Sequence, residues 1–370
     1  MKKLNLFWIT CLLPLSLSAQ QDVIIGKYQN FESKILGGEV TYLVHLPDGY
    51  EKSDKMYPVV FMMNGQNITQ FANDAATLDN LAGERIPDMI LIGISNTGVA
   101  DTYWACPDDS GHVTGGKVFS AFLKNDLIPE INRNYRTNGY QILSGQSNAG
   151  LFVMYNFLYN PDMFDAWVIA SPMFGWCPGF FLDRTESFLK DNPEINKKLY
   201  ISYGELDYVQ VLKPVYDFTE ALKQSPTGLQ WKIDLINNTG HVPFPTLNNA
   251  LLFFFSGCTM NVERKKLSVP EMKSYFASLS KEYGFEVNPK PGVLLDMAFD
   301  LGDENKTGQA IEIMNYLIEL HPDSETNYYC LGRLLQKSGD IESAKANYNK
   351  ALGINPGHEP SKKALSKLNN

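Results

Sequence analysis

The pattern of apolar and polar positions splits the chain into two unlike parts. In the first, short apolar runs alternate with amphipathic stretches. Val40 to Leu46 alternates apolar and polar residues and stops at Pro47-Asp48-Gly49, which predicts a strand ended by a turn. Tyr57 to Met63 and Asp88 to Ile94 are continuous apolar runs of strand length, as expected of strands buried on both faces. Tyr140 to Leu143, Ala166 to Ala170, Lys198 to Tyr203 and Lys232 to Ile236 read as further short strands. Lys117 to Asn132 and Leu151 to Tyr159 read as helices, the second closed by Asn160-Pro161. Strands separated by helical stretches predict a mostly parallel sheet covered by helices.

After Gly257 the pattern becomes helical. Ser268 to Glu271 (SVPE) is a capping box with Pro in the first turn, and it predicts a helix to about Tyr283. Asn288 to Gly292 (NPKPG) reads as a linker. Beyond it the chain repeats with a period of 34: Ala310 matches Ala344, Pro322 matches Pro356, and Ala298 matches Gly332. Leu331-Gly332, Gly339-Asp340, Ala344, Tyr348, Ala351 and Pro356 stand where tetratricopeptide repeats place small and aromatic packing residues. This part resembles that family, with two units and a closing helix from about Glu359. Two units bury little core alone, so they are expected to lean on the Ser268 helix and on the first domain.

Composition narrows the picture. The 370 residues are 44% hydrophobic and carry a net charge of −9. A packed core is expected, and an acidic surface makes nucleic acid and anionic membranes poor partners. Lys2-Lys3, the apolar stretch Leu4 to Leu17 and Ser18-Ala19-Gln20 read as a secretory signal peptide over 1–20, which predicts a secreted or periplasmic protein. The stretch is too short, and too interrupted by Pro14, to predict a membrane span. Trp8-Ile9-Thr10 before Cys11 lacks the small residue that lipid attachment prefers. The other cysteines are Cys106, Cys177, Cys258 and Cys330. Cys106 and Cys177 fall in loops at one end of the predicted sheet, where a disulfide and two separate thiols fit equally well. No Cys-x-x-Cys or His-Glu-x-x-His spacing is present, and no metal or cofactor is predicted.

The chemistry centres on Ser144-Gly145-Gln146-Ser147-Asn148-Ala149-Gly150, between a predicted strand and a predicted helix. Strand, tight turn, Ser and helix is the arrangement that exposes a nucleophilic hydroxyl at the top of an α/β-hydrolase sheet. Ala149 stands where Gly is usual. The same pattern also fits a turn serine that caps the next helix. In this fold the order is Ser, acid, His. Of the histidines after Ser147, His321 and His358 lie in the repeats, which leaves His241 in a Gly-His turn after a strand. The loop Gly204-Glu205-Leu206-Asp207 offers two acids. Asp207 is preferred, with Glu205 in reserve. The backbone N–H groups of Asn148 and Gln66 are the candidate oxyanion donors, with Gly65 permitting close approach. Trp104 and Trp176 are candidate substrate-binding residues, with Met173, Phe174 and Phe180 as further pocket candidates; ordinary loop packing explains them equally well.

At these residues the chain resembles the esterase family that includes esterase D, ferric-enterobactin esterases and feruloyl esterases. The resemblance runs from about Ser33 to Phe255. It rests on Ser33 to Leu36 with VHLPDGY (Val44 to Tyr50), YPVVFMMNGQ (Tyr57 to Gln66), IGISNT (Ile92 to Thr97), the Ser147 elbow, Pro161 to Phe164, Ser171-Pro172 and GHVPFP (Gly240 to Pro245). It implies carboxylic ester hydrolysis through an acyl-enzyme, with the triad on Ser147, Asp207 and His241 and no metal. Many relatives carry Arg soon after the Asn-Thr motif and at the place of Val40. This chain has Val99-Ala100-Asp101 in the first of these, which bears on substrate choice.

The expectation is a signal peptide (1–20), an α/β-hydrolase domain with helices on both faces of its sheet (21–258), a connecting helix and linker (259–292), and a small all-α tetratricopeptide-like domain (293–370). The expected activity is hydrolysis of a siderophore ester or of an acyl or feruloyl carbohydrate ester. An acyltransferase on the same fold and a non-catalytic interaction protein are the alternatives. The repeats are a candidate site for a protein partner.

Overall fold

The computed structural model describes residues 24–82, 84–95, 103–224 and 228–369. The signal-peptide segment 1–20 and the Val99-Ala100-Asp101 departure lie outside the described residues, as do Asn96 and Thr97 of the IGISNT motif.

Eight strands form the sheet among the described residues: β1 (Lys27–Ser33), β2 (Gly38–His45), β3 (Tyr57–Met63), β4 (Ile90–Ile94), β5 (Thr137–Gln146), β6 (Ala166–Ala170), β7 (Lys198–Gly204) and β8 (Gln230–Ile236). Their order is β1-β2-β4-β3-β5-β6-β7-β8. β2 pairs antiparallel with β1 and β4, and all other pairs are parallel. The first domain carries helices α1 (Ile68–Ala82), α2 (Thr114–Phe122), α3 (Ile128–Asn134), α4 (Ser147–Tyr159), α5 (Phe180–Asp191), α6 (Val209–Gln224) and α7 (Thr246–Phe254).

The apolar runs are continuous because both faces of the sheet are covered. Along β3, Val59, Phe61 and Met63 join the core beneath α2 to α6, while Val60 and Met62 join the core beneath α1 and α7. β1 escaped the sequence reading because it is an edge strand with five of its seven residues exposed, so it shows no apolar alternation. The helix expected over Lys117 to Asn132 runs instead from Thr114 to Asn134, with a π-helical stretch at Leu123–Leu127. Pro129 sits at the start of α3 and has no N–H to give the ladder, and a wider turn just before it absorbs that loss.

The C-terminal part is all-helical: α8 (Val269–Tyr283), α9 (Pro291–Asp303), α10 (Thr307–Leu320), α11 (Glu325–Ser338), α12 (Ile341–Ile354) and α13 (Glu359–Asn369). The Ser268/Glu271 capping box is formed, and Gly284 ends α8 in the left-handed region (φ 74°). The expected linker is shorter than Asn288 to Gly292, because Pro291 and Gly292 open α9. Proline is favoured in the first turn of a helix, where its missing N–H costs nothing. Helices α9, α11 and α13 begin at 291, 325 and 359, and α10 and α12 at 307 and 341, so the structural period is the sequence period. One apolar core runs from α1 and α7 through Met272 and Phe276 of α8 to Leu294, Ala310, Met314 and Leu331 of the repeats. Among the described residues, no helix is long and apolar enough to cross a membrane.

Candidate active site

The site lies at the C-terminal end of the parallel strands. β5 stays extended to Gln146 (φ −131°) and α4 begins at once with Ser147, whose φ of 56° is left-handed. A non-glycine residue there is strained, and the strain turns its side chain out of the ladder. The turn is tight enough to need glycine before it. A Cβ on Gly145 would lie 2.7 Å from Val153 Cγ2 and 2.9 Å from the Ala149 carbonyl oxygen. Ala149 itself is fully buried, and it is Gly150 that meets β6, where a Cβ would lie 3.0 Å from Ile169 Cγ2.

Three side chains from three loops meet in a line. His241 Nε2 is 2.9 Å from Ser147 Oγ, and His241 Nδ1 is 2.7 Å from Asp207 Oδ1. The Asp207 side chain has no exposed surface. Its Oδ2 accepts from Ser171 Oγ (2.5 Å) and Gly204 N (3.3 Å), and its Oδ1 also accepts from Tyr208 N (2.8 Å). Burial alone would push this carboxyl up. The hydrogen bonds from Ser171, His241, Tyr208 and Gly204 outweigh it and hold the group below the usual carboxylate range. Glu205 points elsewhere, accepting from Asn238 N at 2.9 Å on the exposed side of the loop.

Ser171, of the Ser171-Pro172 motif, has a role that the sequence does not reveal. Its hydroxyl donates to Asp207 and accepts from Val242 N (2.9 Å), so it ties the acid to the residue after His241. Both Ser171 (φ 48°) and Val242 (φ 60°) are left-handed, unusual above all for a β-branched valine. The only local sign was a Ser-Pro pair directly after a strand. Tyr208 was also missed: its half-exposed ring lies 4.8 Å from the His241 ring.

Asn148 stands in the first turn of α4, where backbone N–H groups have no acceptor within the helix. Its side-chain amide donates to Tyr103 Oη (3.1 Å). Gln66 lies in the turn after β3, the strand beside β5, and is exposed. That turn is drawn in by Gly65, whose N–H donates to Ile94 O (2.7 Å) and on which a Cβ would collide with the Gly93 backbone.

Trp104 and Trp176 are 41% and 47% exposed, and their rings stack 5.8 Å apart at 30°. Cys106 and Cys177 beside them form a disulfide. Met173 and Phe174 are both buried, with Phe174 packed 5.3 Å from Phe181 and 5.5 Å from Phe218. Phe180 is partly buried against Phe181.

Behind the elbow, Gly145 and Gln146 share a small cavity with Val242, Pro243 and Asp74 of α1. Asp74 is 2% exposed, and its Oδ1 accepts from Gln70 Nε2 (2.8 Å) and Asn73 Nδ2 (3.3 Å). Burial pushes its carboxyl up to about 7, against these two hydrogen bonds. Among the described residues no group of three or more His, Cys, Asp or Glu is placed to hold a metal ion.

Residues 33–209 match the family model described as Putative esterase. A stretch of 98 residues is 36% identical to the ferri-bacillibactin esterase BesA of Bacillus subtilis (strain 168). That match covers 25% of this chain and a third (33%) of the relative's length. An IroE-like serine hydrolase from Shewanella oneidensis has a similar structure, with a TM-score of 0.66 at 21% identity over 80% of this chain and 99% of that one. An uncharacterised protein from Capnocytophaga ochracea DSM 7271 gives 0.65 at 14% identity over 88% of this chain and 93% of that one. At these identities the structural likeness shows a shared fold, an α/β-hydrolase-like sheet with helices on both faces.

Proposed function

We propose that this chain is a serine carboxylic ester hydrolase working through an acyl-enzyme on Ser147. The observation that carries this reading is the unbroken line from Ser147 Oγ through His241 to the buried Asp207 carboxylate. With Nδ1–H donated to Asp207, Nε2 is left as the base facing the serine hydroxyl. Ser147 Oγ attacks the ester carbonyl and gives its proton to Nε2. The oxyanion is held by the backbone N–H groups of Asn148 and Gln66. The imidazolium, stabilised by Asp207, then protonates the leaving alcohol oxygen. Water enters by the same route in reverse, and the acid leaves Ser147. The match to an esterase family model and to an esterase relative supports this chemistry.

The substrate class we favour is a siderophore ester, supported by the relative that acts on ferri-bacillibactin. Acylated or feruloylated carbohydrate esters are the second choice, and an added sugar alcohol would reveal acyl transfer. We assign the 34-residue helical period to tetratricopeptide-type repeats that brace the enzyme and offer a surface to a protein partner. A secreted or periplasmic location agrees with the Cys106–Cys177 disulfide, since such bonds persist in oxidising compartments.

The test is hydrolysis of a short-chain chromogenic ester panel and of a catecholate siderophore by the wild type and by Ser147→Ala. Turnover abolished in the variant is the expected result. Turnover that survives Ser147→Ala sinks the nucleophile, and no turnover of any ester sinks the reading.

A further inference from the structure

Two half-exposed tryptophans in contact are an uncommon surface feature, because an indole left in water gives up burial it could gain elsewhere. Each belongs to an arm tied to the site, one to the residue after the nucleophile and the other to the acid of the triad. In the first arm, Tyr103 Oη accepts from the side chain of Asn148, the residue after the nucleophile, and the Trp104 carbonyl accepts from Gly116 N (2.9 Å). The second arm leaves β6 at Ser171, which donates to Asp207, and reaches Trp176 five residues later. It has no slack against α6: a Cβ on Gly175 would lie 2.8 Å from Gln210 Cα. The Cys106–Cys177 disulfide joins the two arms across 71 residues of chain, two residues beyond Trp104 and one beyond Trp176.

We propose that the Cys106–Cys177 disulfide is a specificity-determining tether, which holds Trp104 and Trp176 as one rigid plate on the arms that reach Asn148 and Asp207, so that large flat esters are preferred to small ones. Without the bond the covalent link between the arms is gone, and the plate separates into two mobile rings. A flat group on the substrate then has to order both rings on binding, a cost that the tether removes beforehand. Cysteine takes no part in the chemistry. The tether acts through the tryptophans, so its loss should appear in KM for the large ester.

This inference rests on the esterase reading, and the experiment separates the two. Ethyl acetate and ethyl 2-naphthoate hydrolysis would be followed by proton release for the wild type, Cys106→Ser/Cys177→Ser and Trp104→Ala/Trp176→Ala. Near-ultraviolet circular dichroism would report the coupled indoles without any need for turnover. The expected result is a fall of about tenfold in the naphthoate-to-acetate ratio of kcat/KM in both double variants, carried by KM. The coupled-indole signal should also be lost in the cysteine variant. Wild type treated with a dithiol, which supplies two electrons and two protons and leaves two thiols, should reproduce the cysteine variant. An unchanged ratio overturns the tether, whether both esters slow together or neither changes, and so does a coupled-indole signal that survives loss of the disulfide. A wild type that turns over neither of these esters, nor any ester of the panel or the catecholate siderophore, defeats the esterase reading instead, and the dichroism then decides the tether alone.

Discussion

Gly204 and Gly240 meet backbone to backbone: a Cβ on Gly204 would collide with the Gly240 carbonyl oxygen and with that of Thr239. This contact lets the loop after β7 close on the loop after β8, and so brings Asp207 within 2.7 Å of His241. Around Gly240 itself a Cβ would meet nothing within 4 Å. Gly204→Ala is therefore expected to part the loops and lower kcat/KM by about a hundredfold, since a displacement of about 1 Å at the reacting groups costs that much. Gly240→Ala should cost far less. Ester kinetics on the two variants, with thermal melts to confirm folding, check the contrast.

The two acids of the β7 loop should separate cleanly. Asp207→Asn keeps the shape but favours the wrong imidazole tautomer, so kcat is expected to fall by about 10⁴-fold. Glu205→Gln keeps an acceptor for the Asn238 N–H, away from His241, and should stay within about twofold. Ser171→Ala removes one donor to Asp207 and the acceptor for Val242 N, and should cost about 10- to 100-fold, the range for partners that orient a catalytic group. Steady-state kinetics rank the three.

Asp74 gives stability a pH dependence. Its folded-state carboxyl is raised to about 7 from an ordinary value of 3.8, so the folded protein binds this proton more tightly than the unfolded chain. The stabilisation is complete below about pH 4 and is lost as pH rises through about 7. Asp74→Asn, which stays neutral, should not share this decline. Relative to wild type, the variant should gain stability between pH 5 and 8. Urea unfolding at a series of pH values measures the difference, and parallel curves for the two proteins would refute it.

Lys198 holds the Ser268 helix to the sheet. It is 8% exposed, and its ammonium donates to the Phe254 carbonyl (2.8 Å) and to Glu282 Oε1 (3.0 Å), 4.3 Å from the centre of the Tyr283 ring. Glu282→Ala leaves that buried charge without its counter-ion. The partial exposure of Glu282 tempers the effect, to a loss of about 2 kcal/mol by thermal or urea unfolding. Burial pushes the Lys198 ammonium down and Glu282 opposes that push, so the cost in the variant should ease as pH rises toward the lysine range, where the amine can give up its proton.

The helical repeats pack through a small residue facing a ring. A Cβ on Gly332 would lie 2.6 Å from Tyr348 Cε1. Gly332→Leu should overpack this contact and destabilise the C-terminal helices by about 1–3 kcal/mol. Because the same core continues into α7, limited proteolysis should show earlier release of the repeats and faster thermal inactivation of the whole chain.

The sequence by itself determined what one element or one turn decides. The apolar run at Tyr57 to Met63, the capping box at Ser268, the elbow around Ser147 and the 34-residue period are local patterns, set by which faces are buried and which backbone angles are allowed. β1 was illegible for the same reason, since a largely exposed edge strand imposes no pattern. The tertiary structure decided what depends on two distant loops meeting. Asp207 and Glu205 stand two residues apart in one loop, and only the fold shows that Asn238 N holds Glu205 while Asp207 reaches His241. The Cys106–Cys177 bond, the bridge made by Ser171, the burial of Met173 and Phe174, and the raised Asp74 carboxyl are of the same kind. Each depends on how strands far apart in the chain are ordered in the sheet, because that order sets which loop ends become neighbours and which groups are shut away from water.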